Sequence, residues 1–208
     1  MTPVPGRSPK PPRTVNVSLR GLSAYEPGAA DDELGDGLDD GLDSVELDGV
    51  DLAHLELAGR SVSGSVLRGC EAAHLRVARS AWRDVVVDAC RLGAVEAYEG
   101  EWRGVRMTGT KVDYLNARAA TWRDVDLAGC RIGELDLTDA RAERVRLDGG
   151  TVETLVVGHA RLSDVDLRGA RIGAVEGLDG LAGAWITSAQ LDGLAPALAD
   201  HLRIQVDG

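Results

Sequence analysis

The chain has 208 residues, 44% of them apolar but only 3% aromatic, with no Phe, and a formal net charge of −11. A core is affordable, and it must be aliphatic. No run of 18 apolar residues marks a membrane span, no Gly-X-Y period marks a collagen, and the acidic balance argues against ordinary nucleic-acid binding, which needs clustered bases to displace counterions.

The N-terminus, "MTPVPGRSPKPPRT" (1–14), is basic and proline-rich and is expected to be disordered. It lacks the apolar stretch of a secretory signal, so the expected location is cytoplasmic. "VNVSLRG" (15–21) alternates like a strand and is a candidate cap for whatever follows. The stretch from Tyr25 to Asp43 holds 8 acidic residues and no base. It reads as a solvated linker, because the terminal Glu of a calcium loop is missing. Residues 1–43 together form an acidic leader.

From Val45 the chain falls into blocks of five: VELDG, VDLAH, LELAG, RSVSG. This register runs to Ala184, giving 28 blocks. The third residue is apolar in 27 of the 28, the exception being Gly177. Of the 41 charged residues between 45 and 184, 40 sit at the second, fourth or fifth place. Two inward and three outward positions per five residues match neither helix nor strand periodicity. They describe a chain that turns a corner every five residues.

Such blocks resemble the pentapeptide-repeat family, whose consensus is a small residue, Asp or Asn, Leu or Phe, a polar residue, then Gly. "VDLAG" (125–129), "VRLDG" (145–149) and "VDLRG" (165–169) carry the likeness, and it covers residues 45–184. The resemblance implies an all-β fold: a right-handed quadrilateral β-helix of about seven coils of 20 residues. At the usual strand spacing of ~4.8 Å the rod is roughly 34 Å long. Trp82, Trp102 and Trp122 then stack on one wall as core filling. First-place residues alternate between large (Leu75, Val85, Val95, Val105) and small (Cys70, Ser80, Cys90, Gly100), as a narrow square interior requires. Phe is absent from the central place and the second place departs often from Asp or Asn. Irregular corners are therefore expected between residues 65 and 124.

Residues 185–208 read as a C-terminal helical cap. Thr187 and Gln190 make a capping box, and Leu191, Leu194, Leu198 and Leu202 recur at helical spacing. Gly193 and Pro196 predict a break into two short helices, with a strand at "LRIQV" (202–206). Similar tails pair several bacterial proteins of this family into two-fold dimers, so those four leucines are candidate dimer contacts. A monomeric lid is the alternative.

No catalytic, cofactor-binding or metal-binding residue is expected. Cys70, Cys90 and Cys130 are inward first-place residues without a Cys-x-x-Cys pair, and His54 and His74 are surface residues lacking a third ligand. No Walker loop, Gly-x-Ser-x-Gly or dinucleotide fingerprint is present, so the protein reads as a non-enzyme. Function must lie on the walls. Glu56, Glu96, Glu99, Asp136, Asp139, Glu176 and Asp179 make one wall acidic, 7 against 3 bases. The adjacent Trp wall is basic, through Arg83, Arg103, Arg123, Arg141, Arg144 and Arg161. The family resemblance implies a DNA mimic that binds DNA gyrase or topoisomerase IV and protects the enzyme from inhibitors. The competing reading is a scaffold for another protein partner. Neither involves direct nucleic-acid or membrane contact.

Overall fold

A computed structural model describes residues 8–13, 17, 23–24 and 41–206. The expected cap strand at 15–21 and the acidic stretch up to Asp40 lie outside the described residues.

The five-residue period folds into a parallel β-solenoid. Every pairing is parallel, and equivalent residues one coil apart are 20 positions apart: Trp82 opposite Trp102, Trp102 opposite Trp122, Lys111 opposite Arg91 and Arg131. Two ladders carry the coils. One runs through Ala81–Asp88, Glu101–Thr108, Thr121–Ala128 and Arg141–Arg146. The other runs through Glu71–Arg76, Arg91–Glu96, Lys111–Asn116, Arg131–Asp136, Thr151–Val156 and Arg171–Glu176.

The corners follow a rule that consensus matching does not show. Fifth-place residues on three of the four walls have positive φ, as in the columns through Gly69 and Ala89, Arg79 and Ala119, and Asp84 and Asp124. On the fourth wall, the column through His74 and Tyr114, the chain passes the corner without positive φ, inside continuous strands. Eleven of these left-handed corner residues are not glycine, from Ser44 through Asp164. Each carries a steric cost of roughly 1–2 kcal/mol that the surrounding coil must hold in place.

First- and third-place side chains fill the interior. Leu47, Val62, Leu75, Val85, Ala97, Val105, Ala117, Val125, Leu135 and Leu155 are among the fully buried ones. At roughly 1.5–3 kcal/mol for each large aliphatic side chain taken out of water, this column is the main stabilising term.

Three sequence expectations need correction. The coils between residues 65 and 124 are regular. The irregular coil is the first, where residues 51 and 56 form only isolated bridges to Glu71 and Arg76. Other parts of that coil have outer partners, Val45 and Glu46 against Ser23 and Ala24 and Ser61–Ser63 against Gly41–Asp43, but residues 51 and 56 are paired from one side only among the described residues. The last coil loses the register. Gly177, the one non-apolar third place, starts a 3-10 turn over Leu178–Leu181, and Ala184 then pairs with Val165, 19 residues back rather than 20. Finally, the tail is one helix, Ser188–Leu202, with Pro196 inside it, and residues 204–206 are not a strand. Pro196 removes one N–H, but the capping box fixes the helix start and Pro keeps a helical φ, so the remaining turns continue. Thr187 accepts from Gln190 N–H, and Gln190 Oε1 accepts from Thr187 N–H at 2.7 Å. Gln190 Nε2 also donates to the carbonyls of Leu167 and Ala170, which ties the helix to the last coil.

Candidate functional site

The Trp wall has an inner and an outer layer. Inside, Trp82, Trp102 and Trp122 are stacked, with ring centroids 5.2 and 5.0 Å apart and all three buried. Ala97 and Ala117, at the centre of the preceding blocks, are fully buried and make room for the rings. The three indole Nε1 atoms have no hydrogen-bond partner among the described residues. That costs energy, and the aromatic stack and burial of the rings offset it.

Outside, residue parity puts Arg83, Arg103 and Arg123 side by side, one per coil, in register. Like charges directly opposite each other across neighbouring strands are destabilising, and no carboxylate among the described residues forms an ion pair with Arg83 or Arg103. Arg123 donates to Glu143. Arg144 is turned inward and forms a two-pronged pair with Asp124, at 2.7 and 2.9 Å, and also donates to Glu143. The Arg144 guanidinium holds the Asp124 carboxyl below the usual aspartate range, aided by the Arg13 backbone N–H at 3.0 Å. Arg141 and Arg161 stand in register on the next two coils.

The wall expected to be acidic is interleaved with its own bases. Glu56 pairs with Arg76 at 2.5 Å, Glu99 with Arg79 at 2.7 Å, and Glu96 contacts His74 at 3.0 Å. Asp136 is buried; it accepts from the Thr138 N–H and hydroxyl and pairs with Arg118 at 3.2 Å. Asp179 sits 3.5 Å from His159. Asp139 and Glu176 have no ion-pair partner among the described residues. Reading each wall by its net charge missed this pairing, although the 20-residue offset between acid and base was available in the sequence.

The wall opposite the tryptophans holds a basic column that a net tally conceals. Arg91, Lys111 and Arg131 are in register on successive coils, followed by Thr151 and Arg171. Beside them Gly93, Gly133 and Gly173 lie against the preceding coil, where a Cβ would come within 2.3–2.6 Å of a carbonyl oxygen. Two shallow clefts of about 450 and 460 Å³ run along this glycine floor, sharing Lys111 and Asp113.

At the C-terminus Leu191 and Leu202 are 48% and 63% exposed, and Ile204 and Val206 more than half exposed. Leu194 and Leu198 are half-buried. The cysteines are core residues. All three are free and buried, and burial pushes the Cys130 thiol up to about 11. No helix among the described residues is long and apolar enough to cross a membrane.

Parallel in-register coils of 20 residues with inward third places define the class: this is a parallel β-solenoid of about 7 coils, consistent with pentapeptide repeats. No family model matches the chain and no curated protein matches it. Among solved structures it is similar to a trypsin-treated variant of QnrB1, a plasmid-mediated fluoroquinolone resistance protein, at 16% identity over 78% of this chain and 97% of that one, TM-score 0.27. Full-length QnrB1 gives 15% identity over 74% and 96% of the two chains, TM-score 0.21. HetL, a pentapeptide repeat protein involved in heterocyst differentiation regulation from the cyanobacterium Nostoc, gives 16% over 69% and 88%, TM-score 0.20.

Proposed function

We propose that this protein is a non-catalytic binding rod whose partner is another protein. The observation that supports it is the filled interior. Apolar side chains are buried from Leu42 to Ala170, and the clefts described above open on the outer walls. The exposed walls are also where like charges are held against their own repulsion, at Arg83 and Arg103 and at Arg91 and Arg131, while Lys111 between the latter two pairs with Asp113 at 2.8 Å. A partner of opposite sign relieves that repulsion, and charge complementarity of this kind governs specificity and association rate. The test is capture by the immobilised full chain, repeated with Arg83, Arg103 and Arg123 changed together to Glu. Loss of the captured protein supports the reading. Unchanged capture removes this wall from it.

A more specific form is mimicry of DNA toward a type II topoisomerase, DNA gyrase or topoisomerase IV, with protection against inhibitors. The net charge of −11 and the four-sided rod support it. The paired carboxylates weigh against it, since they leave only Asp139 and Glu176 of the seven acids on that wall without an ion-pair partner among the described residues. A gyrase supercoiling assay with and without a quinolone decides: neither inhibition nor protection at micromolar protein ends this form. The exposed apolar strip of Leu191, Leu202, Ile204 and Val206, with Leu194 and Leu198 behind it, supports pairing of two chains through the C-terminal helix. Light scattering on the intact chain and on Leu191→Lys tests that.

A further inference from the structure

The Trp wall carries a second feature, independent of any protein partner. The leader returns to the rod there: the Arg13 N–H donates to Asp124, 111 residues away in sequence. Pro9 and Pro12 are half-buried while their neighbours are exposed. A spacing of three is one turn of a polyproline helix, so both rings lie on one side of the strap. Where the strap meets the rod, Arg13, Arg103, Arg123, Asp124, Glu143 and Arg144 line a cleft of about 350 Å³, within the size range of small-ligand sites.

The charges in this cleft do not cancel. Both carboxylates are already engaged: Asp124 by Arg144 and by the Arg13 N–H, Glu143 by Arg123 and Arg144. Four arginines and two carboxylates line the cleft, and with Asp84 counted behind Gly104 the formal surplus is one positive charge. Arg103 forms no ion pair among the described residues. Its neighbour Gly104 has positive φ, and the space a side chain would take there is filled by the Asp84 carboxylate of the preceding coil, with Oδ1 2.6 Å from the place of a Cβ. The engaged pairs fix Arg123 and Arg144 in place, so their remaining N–H groups are presented without further ordering cost. Planar guanidinium forks match tetrahedral oxyanions in two-pronged geometry.

We propose that this cleft binds a phosphate monoester dianion, clamped between Arg103 and Arg123 of the rod and Arg13 of the strap. A phosphoryl group carries about −1.5 to −2 at pH 7 and offers three acceptor oxygens, opposite in sign to the surplus and suited to the guanidinium forks. Free phosphate and a phosphorylated serine side chain present the same group.

The test is calorimetric titration of the full chain, at low salt and pH 7.5, with inorganic phosphate and separately with O-phosphoserine. One-site binding at millimolar or lower concentration is expected, with sulfate competing and chloride not. Equal affinity for the two probes assigns free phosphate as the ligand; tighter phosphoserine assigns a modified side chain. Arg103→Ala is expected to weaken binding about tenfold with Arg103→Lys between it and the parent, because Lys keeps the charge and loses the fork. Arg103 is exposed and outside the ion pairs, so its melting temperature stays that of the parent. Arg13→Ala, in the strap and away from the core, gives a second reading of the same site. No binding of either probe at millimolar concentration, or unchanged affinity in both Ala variants, overturns the proposal. Neither result bears on the capture experiment above, which needs no phosphate.

Discussion

Trp102 lies flat on Trp122, with centroids 5.0 Å apart and planes 5° from parallel, and both rings are buried at the middle of the rod. Trp82 extends the stack by one coil. Trp102→Ala is expected to cost about 3–5 kcal/mol, because it opens a cavity between two rings that cannot close over it. Trp102→Phe keeps an aromatic disc and removes an unpartnered N–H, so its cost is expected to stay below about 1.5 kcal/mol. Urea denaturation of the two variants measures the difference; equal losses would mean that the stack carries no energy of its own.

The left-handed corners allow stabilisation without touching the core. Ala89 and Ala119 have φ of 53° and are exposed, so glycine there relieves strain and loses no packing. The relief of roughly 1–2 kcal/mol exceeds the added unfolded-state entropy of about 0.5–1 kcal/mol. Ala119→Gly is expected to raise the melting temperature, whereas Gly133→Ala is expected to lower it, since its Cβ would sit 2.4 Å from the Asp113 carbonyl oxygen. Thermal unfolding followed by circular dichroism checks both signs.

The Asp124–Arg144 pair sets an acid limit. The folded-state pKa of Asp124 is depressed, chiefly by the Arg144 guanidinium. Its contribution is therefore present above the unfolded-state aspartate value and lost as pH falls through the lower folded value. Stability is expected to decline on acidification below about pH 4, and Asp124→Asn is expected to flatten that part of the curve. Asp124→Ala, which leaves Arg144, at 14% side-chain exposure, with Glu143 as its one remaining carboxylate, is expected to cost about 1–3 kcal/mol at neutral pH. Denaturation midpoints between pH 3 and 7 report both effects.

Cys70, Cys90 and Cys130 are 0–1% exposed. No reaction with a thiol-specific reagent is expected in the folded state, and three equivalents are expected in denaturant. A fast-reacting thiol in the folded chain would show that the interior column between Val50 and Ala170 opens.

Gln190 joins cap to rod through its two carbonyl acceptors and its bond to Thr187. Gln190→Ala is expected to cost about 1–3 kcal/mol. Hydrogen exchange is expected to rise first in Ser188–Leu202, while strands such as Thr121–Ala128 stay protected.

Much of this could be read from the residues alone. Inward and outward places, the Trp column and the size alternation follow from a period of five, because side-chain parity along a turning strand is local; the Thr187–Gln190 box follows from the three-residue spacing of a helix cap. Gly177 stood out in the sequence only as the one non-apolar third place; the five-residue register reads on to Ala184, and its loss after Gly177 is decided by the structure. What required the tertiary structure was everything that joins one coil to another or the leader to the rod. Wall-by-wall charge counts did not show that Glu56, Glu99 and Asp136 spend their charge on Arg76, Arg79 and Arg118, since a carboxylate's field depends on its nearest partner and not on a column sum. Nor does composition place Arg13 beside Asp124: a contact across 111 residues is decided by where the folded wall presents an acceptor, and local preference carries no information about that distance. The single helix through Pro196 has the same cause, for a helix start anchored to Leu167 and Ala170 outweighs one missing N–H.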